Sequence, residues 1–376
     1  MGPQVNSPSR LVQVDLVRVL AMALMVQGHT LDVLLLPSYH CAWWFNVWEF
    51  CRGFTAPTFL LLSGFSFALA TIRRFDDHVK PGPKVFARLR KFAFFVLLGY
   101  SMHFPVHSVR DLGSAGPLSW QSFLQVDVLQ TIGFSLIGLQ LLVLALRSKA
   151  RFATVAVTGS LLIAFATPWL WNSATVNSLP LALRSALIGT GGSLFPLLPW
   201  CAYVLLGAGL GTIYLTVARS SDLLLKAFVP AGLLLMVLGI RSEPLAHRVY
   251  GELNFWPTTP HLFLTRVGFV LAILGLATFA TPLMRTWASS LRSLAEESLL
   301  VYFVHVDLLY GSVWNRGLRN YLGGSLTFVQ AYAWVLVMIG AMAALAFYWN
   351  RAKKSHPAPS RAVRTCVIAL AALAVA

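Results

Sequence analysis

A succession of apolar windows, each about 20 residues long, constrains this chain more than any other feature, because a helix of that length crosses a hydrocarbon core of roughly 30 Å. The windows fall at 14–36, 54–72, 92–107, 123–146, 152–171, 195–217, 223–240, 261–282, 297–315, 326–349 and 363–376. They predict an all-α, polytopic transmembrane bundle of about ten or eleven helices. Composition agrees: 57% of the 376 residues are hydrophobic and 11% charged, whereas soluble domains carry roughly 25% charged residues. Breakers such as Lys80-Pro81-Gly82-Pro83 and Pro357-Ala358-Pro359 punctuate the connectors. No internal repeat is visible, so one membrane domain over 1–376 is expected, with a cytosolic leader at 1–12 and a basic linker at 350–362 before a short last helix. The first window holds Asp15 and Arg18 and no small-residue cleavage site follows it, so it reads as a retained helix.

A net charge of +16 would suggest nucleic acid in a soluble protein. Here the basic residues cluster in alternate connectors, among them Arg73, Arg74, Lys80, Lys84, Arg147, Lys149, Arg151, Arg285, Arg292, Lys353 and Lys354. The positive-inside rule then places the N-terminus in the cytoplasm, and the expected partner is the bilayer, not nucleic acid. Arg88, Arg90 and Lys91 run into the third window, where they would meet a diphosphate at the membrane surface. Cysteines 41, 51, 201 and 366 lack the spacing of a zinc or redox motif and read as structural thiols, although Cys41 and Cys51 share an outer loop that an oxidising compartment would allow to cross-link.

Ionisable groups inside a span cost roughly 2.5–3.5 kcal/mol each and normally face protein or a wet cavity. In the first window Asp15, Arg18, Met22, Met25, His29 and Asp32 recur at three and four residues, one stripe of a helix. Asp15 and Arg18 are spaced for an interfacial ion pair. His29 lies about 16 Å beyond Arg18, with Asp32 one turn further as an orienting carboxylate for proton transfer near neutral pH. The outer loop that follows offers His40, Trp43, Trp44, Asn46, Trp48, Glu49 and Arg52. Its tryptophans read either as an interfacial belt or as a carbohydrate-binding rim, with Trp44, Glu49 and Arg52 meeting the apolar and hydroxyl faces of a sugar. His103, His107, Asp127, Gln130, Arg184, His261 and Arg266 also fall toward the outer side, and His305 and Asp307 lie within the ninth window.

Several blocks together carry a resemblance. Val14-Asp15-Leu16-Val17-Arg18 through Gln27-Gly28-His29, then Arg52-Gly53-Phe54-Thr55-Ala56-Pro57-Thr58-Phe59-Leu60 with Ser63-Gly64, begin the series. Asp127 to Gly133, Phe195-Pro196-Leu197-Leu198-Pro199-Trp200 with Gly207 and Gly211, and Ser298 to His305 follow in order. Over about residues 10 to 350 the chain resembles the heparan-alpha-glucosaminide N-acetyltransferase catalytic domain family, within a wider group of transmembrane acyltransferases that includes acyltransferase family 3. In that last family an Arg and a His with ten residues between them mark the first helix, as Arg18 and His29 do here. The resemblance implies that an acyl-CoA, acetyl-CoA among them, donates from the cytosolic side and a sugar or glycan amine or hydroxyl accepts at the far side. It also implies a bacterial inner membrane. In the animal enzyme an Asn matches His29 and the catalytic His matches a position near His40, so His29 and His40 both stand as candidates.

Under that reading the histidine takes the acceptor's proton, and Asp32 or Asp127 holds its imidazole in the useful tautomer. Arg266 or Gln130 would meet the developing oxyanion, His305 would contact substrate, and Arg18, Arg88 and Arg90 would hold the acyl-CoA. No nucleophilic Ser or Cys motif appears, which favours direct transfer, although an acyl-histidine stays open. No metal is expected, since His103 and His107 lack the Glu of an HExxH site. A second reading is a proton-coupled transporter or lipid-linked sugar flippase that relays protons through His29, Asp32, Arg266, His305 and Asp307.

Overall fold

A computed structural model of the chain describes residues 11–104, 106, 109–218, 221–251, 259–312 and 315–355. Among these residues it is helical throughout, with isolated bridges such as Leu35 to Leu326 and no strand. The principal helices are α1 (Val12–Leu34), α2 (Trp43–Arg52), α3 (Thr55–Ile72), α4 (Pro83–Met102), α5 (Val128–Leu146), α6 (Lys149–Asn172), α7 (Leu197–Thr216), α8 (Asp222–Arg241), α9 (Pro260–Ala280), α10 (Ser298–Tyr310) and α11 (Phe328–Ser355).

Each expected window up to 326–349 overlaps a helix, and the one at 363–376 lies outside the described residues, as do residues 1–10 of the leader, His107 and Cys366. Among the described residues eight helical stretches are long and apolar enough to cross a bilayer, α2 and α3 counting as one stretch, Trp43–Ile72. Two differences have local causes. The Trp-rich segment read as a loop is the helix α2, which the short break at Gly53 and Phe54 joins to α3. The ninth window yields only the 13-residue α10, because Gly311 at φ +83° ends the helix. The supposed linker from 350 is helical as far as Ser355, the last turns of α11.

Local chemistry sets several helix ends. Pro83 occupies the first turn of α4, where a missing N–H costs nothing. Asp127 and Gln130 form a reciprocal capping box at the start of α5. Ser148 caps α6, its hydroxyl accepting from the Arg151 N–H.

The helix α1 is central, packed against α3, α9, α10 and α11. Around it α3 pairs with α7, α7 with α6, α4 with α5, and α8 with α9. Arg18 and Arg88 both meet the C-terminal half of α3, at Ser66 and Thr71, and with Lys353 they lie toward one end of the bundle, the basic end, while Asp32, Arg52 and Tyr310 meet toward the other. At the α3–α7 contact the two backbones meet closely. A Cβ at Gly64 would sit 1.8 Å from the Val204 carbonyl oxygen, and one at Gly207 1.9 Å from that of Leu61. Bare backbone lets the two helices meet, as small residues do in membrane interfaces generally.

Gly64→Ala and Gly207→Ala should therefore each destabilise the protein by about 1–3 kcal/mol or more, as overpacking does. Gly138→Ala on α5, where nothing lies within 4 Å of the added Cβ, should leave the detergent-solubilised Tm unchanged or slightly higher. Equal loss at all three positions would remove the packing explanation.

Candidate active site

The stripe on α1 faces inward as its spacing requires. Arg18, Met25, His29 and Asp32 line a cavity of about 2560 Å³, and Asp15 is buried. At the basic end the wall holds Arg18, Arg88, Lys91, Glu297 and Lys353. At the other end it holds His29, Asp32, Glu49, Arg52, Arg266, Tyr302, Tyr310 and Arg319.

His29 meets its partner across the bundle, on α10. Its Nδ1 lies 2.9 Å from His305 Nε2, and the ring planes are 9° from parallel with centroids 5.2 Å apart. His305 is fully buried, and its Nδ1 lies 2.6 Å from the Val301 carbonyl oxygen one turn back. Asp32, expected with Asp127 as a candidate to orient His29, has other partners here. Asp32 Oδ1 accepts from Arg52 at 3.0 Å and Oδ2 from the Tyr310 hydroxyl at 3.0 Å. Arg52 also lies 3.8 Å from Glu49 and over the Trp48 ring at 5.1 Å, which fixes the acid end of α1 to α2.

Asp127 is tied down as well. Its Oδ1 accepts from the Val128 N–H at 2.7 Å and its Oδ2 from the Tyr302 hydroxyl at 3.1 Å, with His103 Nε2 at 3.9 Å. Gln130, expected to face an oxyanion, is fully buried: its Oε1 accepts from the Asp127 N–H at 3.2 Å and its Nε2 donates to the Gln125 carbonyl at 3.4 Å. Its amide completes the capping box and does not line the cavity. Arg266 does line it, buried, with its guanidinium 5.3 Å from the Trp200 ring centroid.

Near the basic end Arg18 donates to the Ser66 hydroxyl at 2.6 Å. Arg88 donates from Nη2 to the Thr71 hydroxyl at 2.9 Å and lies over Phe67 at 4.6 Å, while its buried Nη1 has no partner among the described residues. Lys353 pairs with the buried Glu297, whose second contact is Asn350. Arg90, expected beside Arg88, is exposed and does not line the cavity. Two residues turn a helix by about 200°, whereas three bring Lys91 back to the Arg88 face.

His40 and Trp44 stand apart from the main cavity. His40 stacks on Phe45 at 4.4 Å and lines a neighbouring pocket of about 390 Å³ that shares Asp32, Tyr310 and Arg319 with the large one. Trp44 packs edge-on against Phe45 and Phe328. Cys41 and Cys51 are both free thiols. Among the described residues no group of three or more His, Cys, Asp or Glu is arranged to hold a metal ion.

With this site in view, comparison with known families is decisive: the model for heparan-alpha-glucosaminide N-acetyltransferase, catalytic, matches residues 10–242. The chain belongs to that family. Membership implies a multi-pass membrane acetyltransferase, as the resemblance in the sequence does. The match takes in α1 to α8 and so includes Arg18, His29, Asp32, Arg88 and Asp127, while Arg266 and His305 lie beyond it. Comparison with curated proteins gives no match to the chain.

Sequence reading did not single out Tyr302 and Tyr310. Tyr302 stands one turn before His305, so applying the three-four stripe to the ninth window as to the first would have found it. Removing the Asp127 carboxylate with Asp127→Ala should cost about 1–2 kcal/mol through the lost cap and lower the Tm in detergent, with Asp127→Asn keeping most of the stability. If Asn and Ala variants melt alike, the cap is not what Asp127 contributes.

Proposed function

We propose that the protein transfers an acetyl or other acyl group from acyl-CoA to an amine or hydroxyl of a sugar or glycan, with His29 as general base. The observation that supports this most is the continuity of one cavity from a cationic end to a histidine end. A CoA diphosphate suits Arg88 and Lys91, since Arg88 brings a buried, unpartnered nitrogen to the wall. With the N-terminus cytoplasmic, as the positive-inside rule favours, the donor enters from the cytosol. A bacterial inner membrane suits this arrangement.

In the step itself the acceptor nitrogen or oxygen attacks the thioester carbonyl while its proton passes to His29 Nε2. The tetrahedral intermediate then collapses, the C–S bond breaks, and the thiolate leaves to take up a proton. Arg266 is the cationic group best suited to the oxyanion, because it is buried in the cavity wall near the histidine end. Asp32, Glu49 and Arg52 present the acceptors and donors that sugar hydroxyls use.

Purified protein supplied with acetyl-CoA and a panel of amino sugars should release free thiol, and His29→Ala should lower that rate by about 10²–10⁴-fold, the usual share of general base catalysis. Wild-type protein that releases no thiol with any sugar would defeat the enzyme reading and leave transport as the better one. Arg88→Ala should raise KM for acetyl-CoA about tenfold, one charge-assisted contact. It should leave KM for the sugar alone, and also the reaction with a short acetyl thioester that has no diphosphate. An equal rise with the short thioester would show that Arg88 does not meet the phosphates.

A further inference from the structure

We propose that His305 is a positioning residue that fixes the tautomer of His29, through a hydrogen-bonded chain that ends on the Val301 carbonyl. The inference rests on the acyl-transfer reading and adds to it the group that makes His29 a base at the correct nitrogen.

The direction of the chain follows from what each atom can do. A backbone carbonyl only accepts, so the short contact from His305 Nδ1 to the Val301 oxygen places a proton on His305 Nδ1. The neutral ring then presents a lone pair at Nε2. That lone pair faces His29 Nδ1 at 2.9 Å, so His29 Nδ1 carries the proton and donates it. The lone pair of His29 is left on Nε2, on a ring that lines the cavity. This is the tautomer a general base needs if the acceptor lies in the cavity.

A carboxylate commonly plays this orienting role. Among the described residues no carboxylate is hydrogen-bonded to His29. Asp32 is held by Arg52 and Tyr310, and Asp127 by Tyr302 and the Val128 N–H. The titratable groups around the two histidines are Asp32 on α1, Arg52 on α2, Asp127 at the start of α5, and Tyr302 and Tyr310 on α10. When His29 Nε2 gains the acceptor's proton, its Nδ1–H still donates to the neutral His305 ring, so the imidazolium keeps a hydrogen-bond partner without a rearrangement.

The experiment compares wild type, His305→Ala and His305→Gln. Glutamine keeps an acceptor for His29 and a donor for Val301. Thiol release is measured across pH, and ring nitrogen shifts are read in protein carrying ¹⁵N-histidine, with the His29 signal assigned by its loss in His29→Asn. His305→Ala should lower kcat about 100-fold or more with KM for both substrates within about twofold. His305→Gln should recover most of that loss, and its pH profile should keep the wild-type shape. The His29 signal should show Nδ1 protonated in wild type and His305→Gln, and a mixture of tautomers in His305→Ala. A wild-type signal with Nε2 protonated would overturn the proposal, as would equal kcat loss in the Ala and Gln variants. If wild type releases no thiol at all, the transfer reading fails by itself, and the nitrogen shifts still decide the tautomer. If the Ala variant does not fold, a change of His29 tautomer in the Gln variant overturns the proposal and its retention supports it.

Discussion

Every hydrogen-bonding group placed at membrane depth must find its partner inside the protein, because hydrocarbon offers none. The helix α1 carries Asp15, Arg18, His29 and Asp32, and such a helix is tolerated only at the centre of a bundle. Its surround of α3, α9, α10 and α11 supplies Ser66 to Arg18, His305 to His29, and Tyr310 to Asp32. Packing elsewhere follows the same demand for closeness. The glycine contact between α3 and α7 draws α3 tight on its far side, while its near side faces the cavity with Phe59, Ser63 and Ser66.

What was legible in the sequence was whatever repeats locally. The α1 stripe is a 3.6-residue pattern within one window, and its inward face, its cavity residues and their order were readable from spacing alone. The family was legible because its blocks recur in order. Partnerships across the bundle were not. Asp32 is the obvious companion of His29 by spacing, yet His305 comes from 276 residues away and displaces it. Nothing local in either window records that meeting. Arg90 lies off the cavity wall for a plainer reason: adjacency in sequence suggests one basic cluster, but helical rotation splits Arg88 and Lys91 from it. The ninth window was overread because apolar residues continue past Gly311, where the backbone turns.

The two ends of the cavity differ in how their charges are already used, and this bears on which ligand each would hold. At the basic end Lys353 is paired with Glu297, so much of its charge is satisfied before any anion arrives. Among the described residues Arg88 meets a hydroxyl and aromatic faces and no carboxylate within ion-pair distance, and a diphosphate would supply the missing anion. At the opposite end the charge of Arg52 is balanced by Asp32 and Glu49. That end offers hydrogen-bonding capacity with little net charge, a better match to neutral sugar hydroxyls than to phosphate.

The same accounting explains why a neutral histidine is the better neighbour for a base in this setting. A carboxylate in contact with His29 would favour the imidazolium at rest, and a base that is already protonated takes no proton from the acceptor. In a low-dielectric cavity that preference would be strong. The protein keeps both nearby carboxylates occupied, one by a guanidinium and a phenol, the other by a helix cap and a phenol. His305 can then orient the ring without adding charge. Its own proton is fixed by a backbone carbonyl, which cannot ionise, so the direction of the chain is set by the helix and not by pH-dependent side chains.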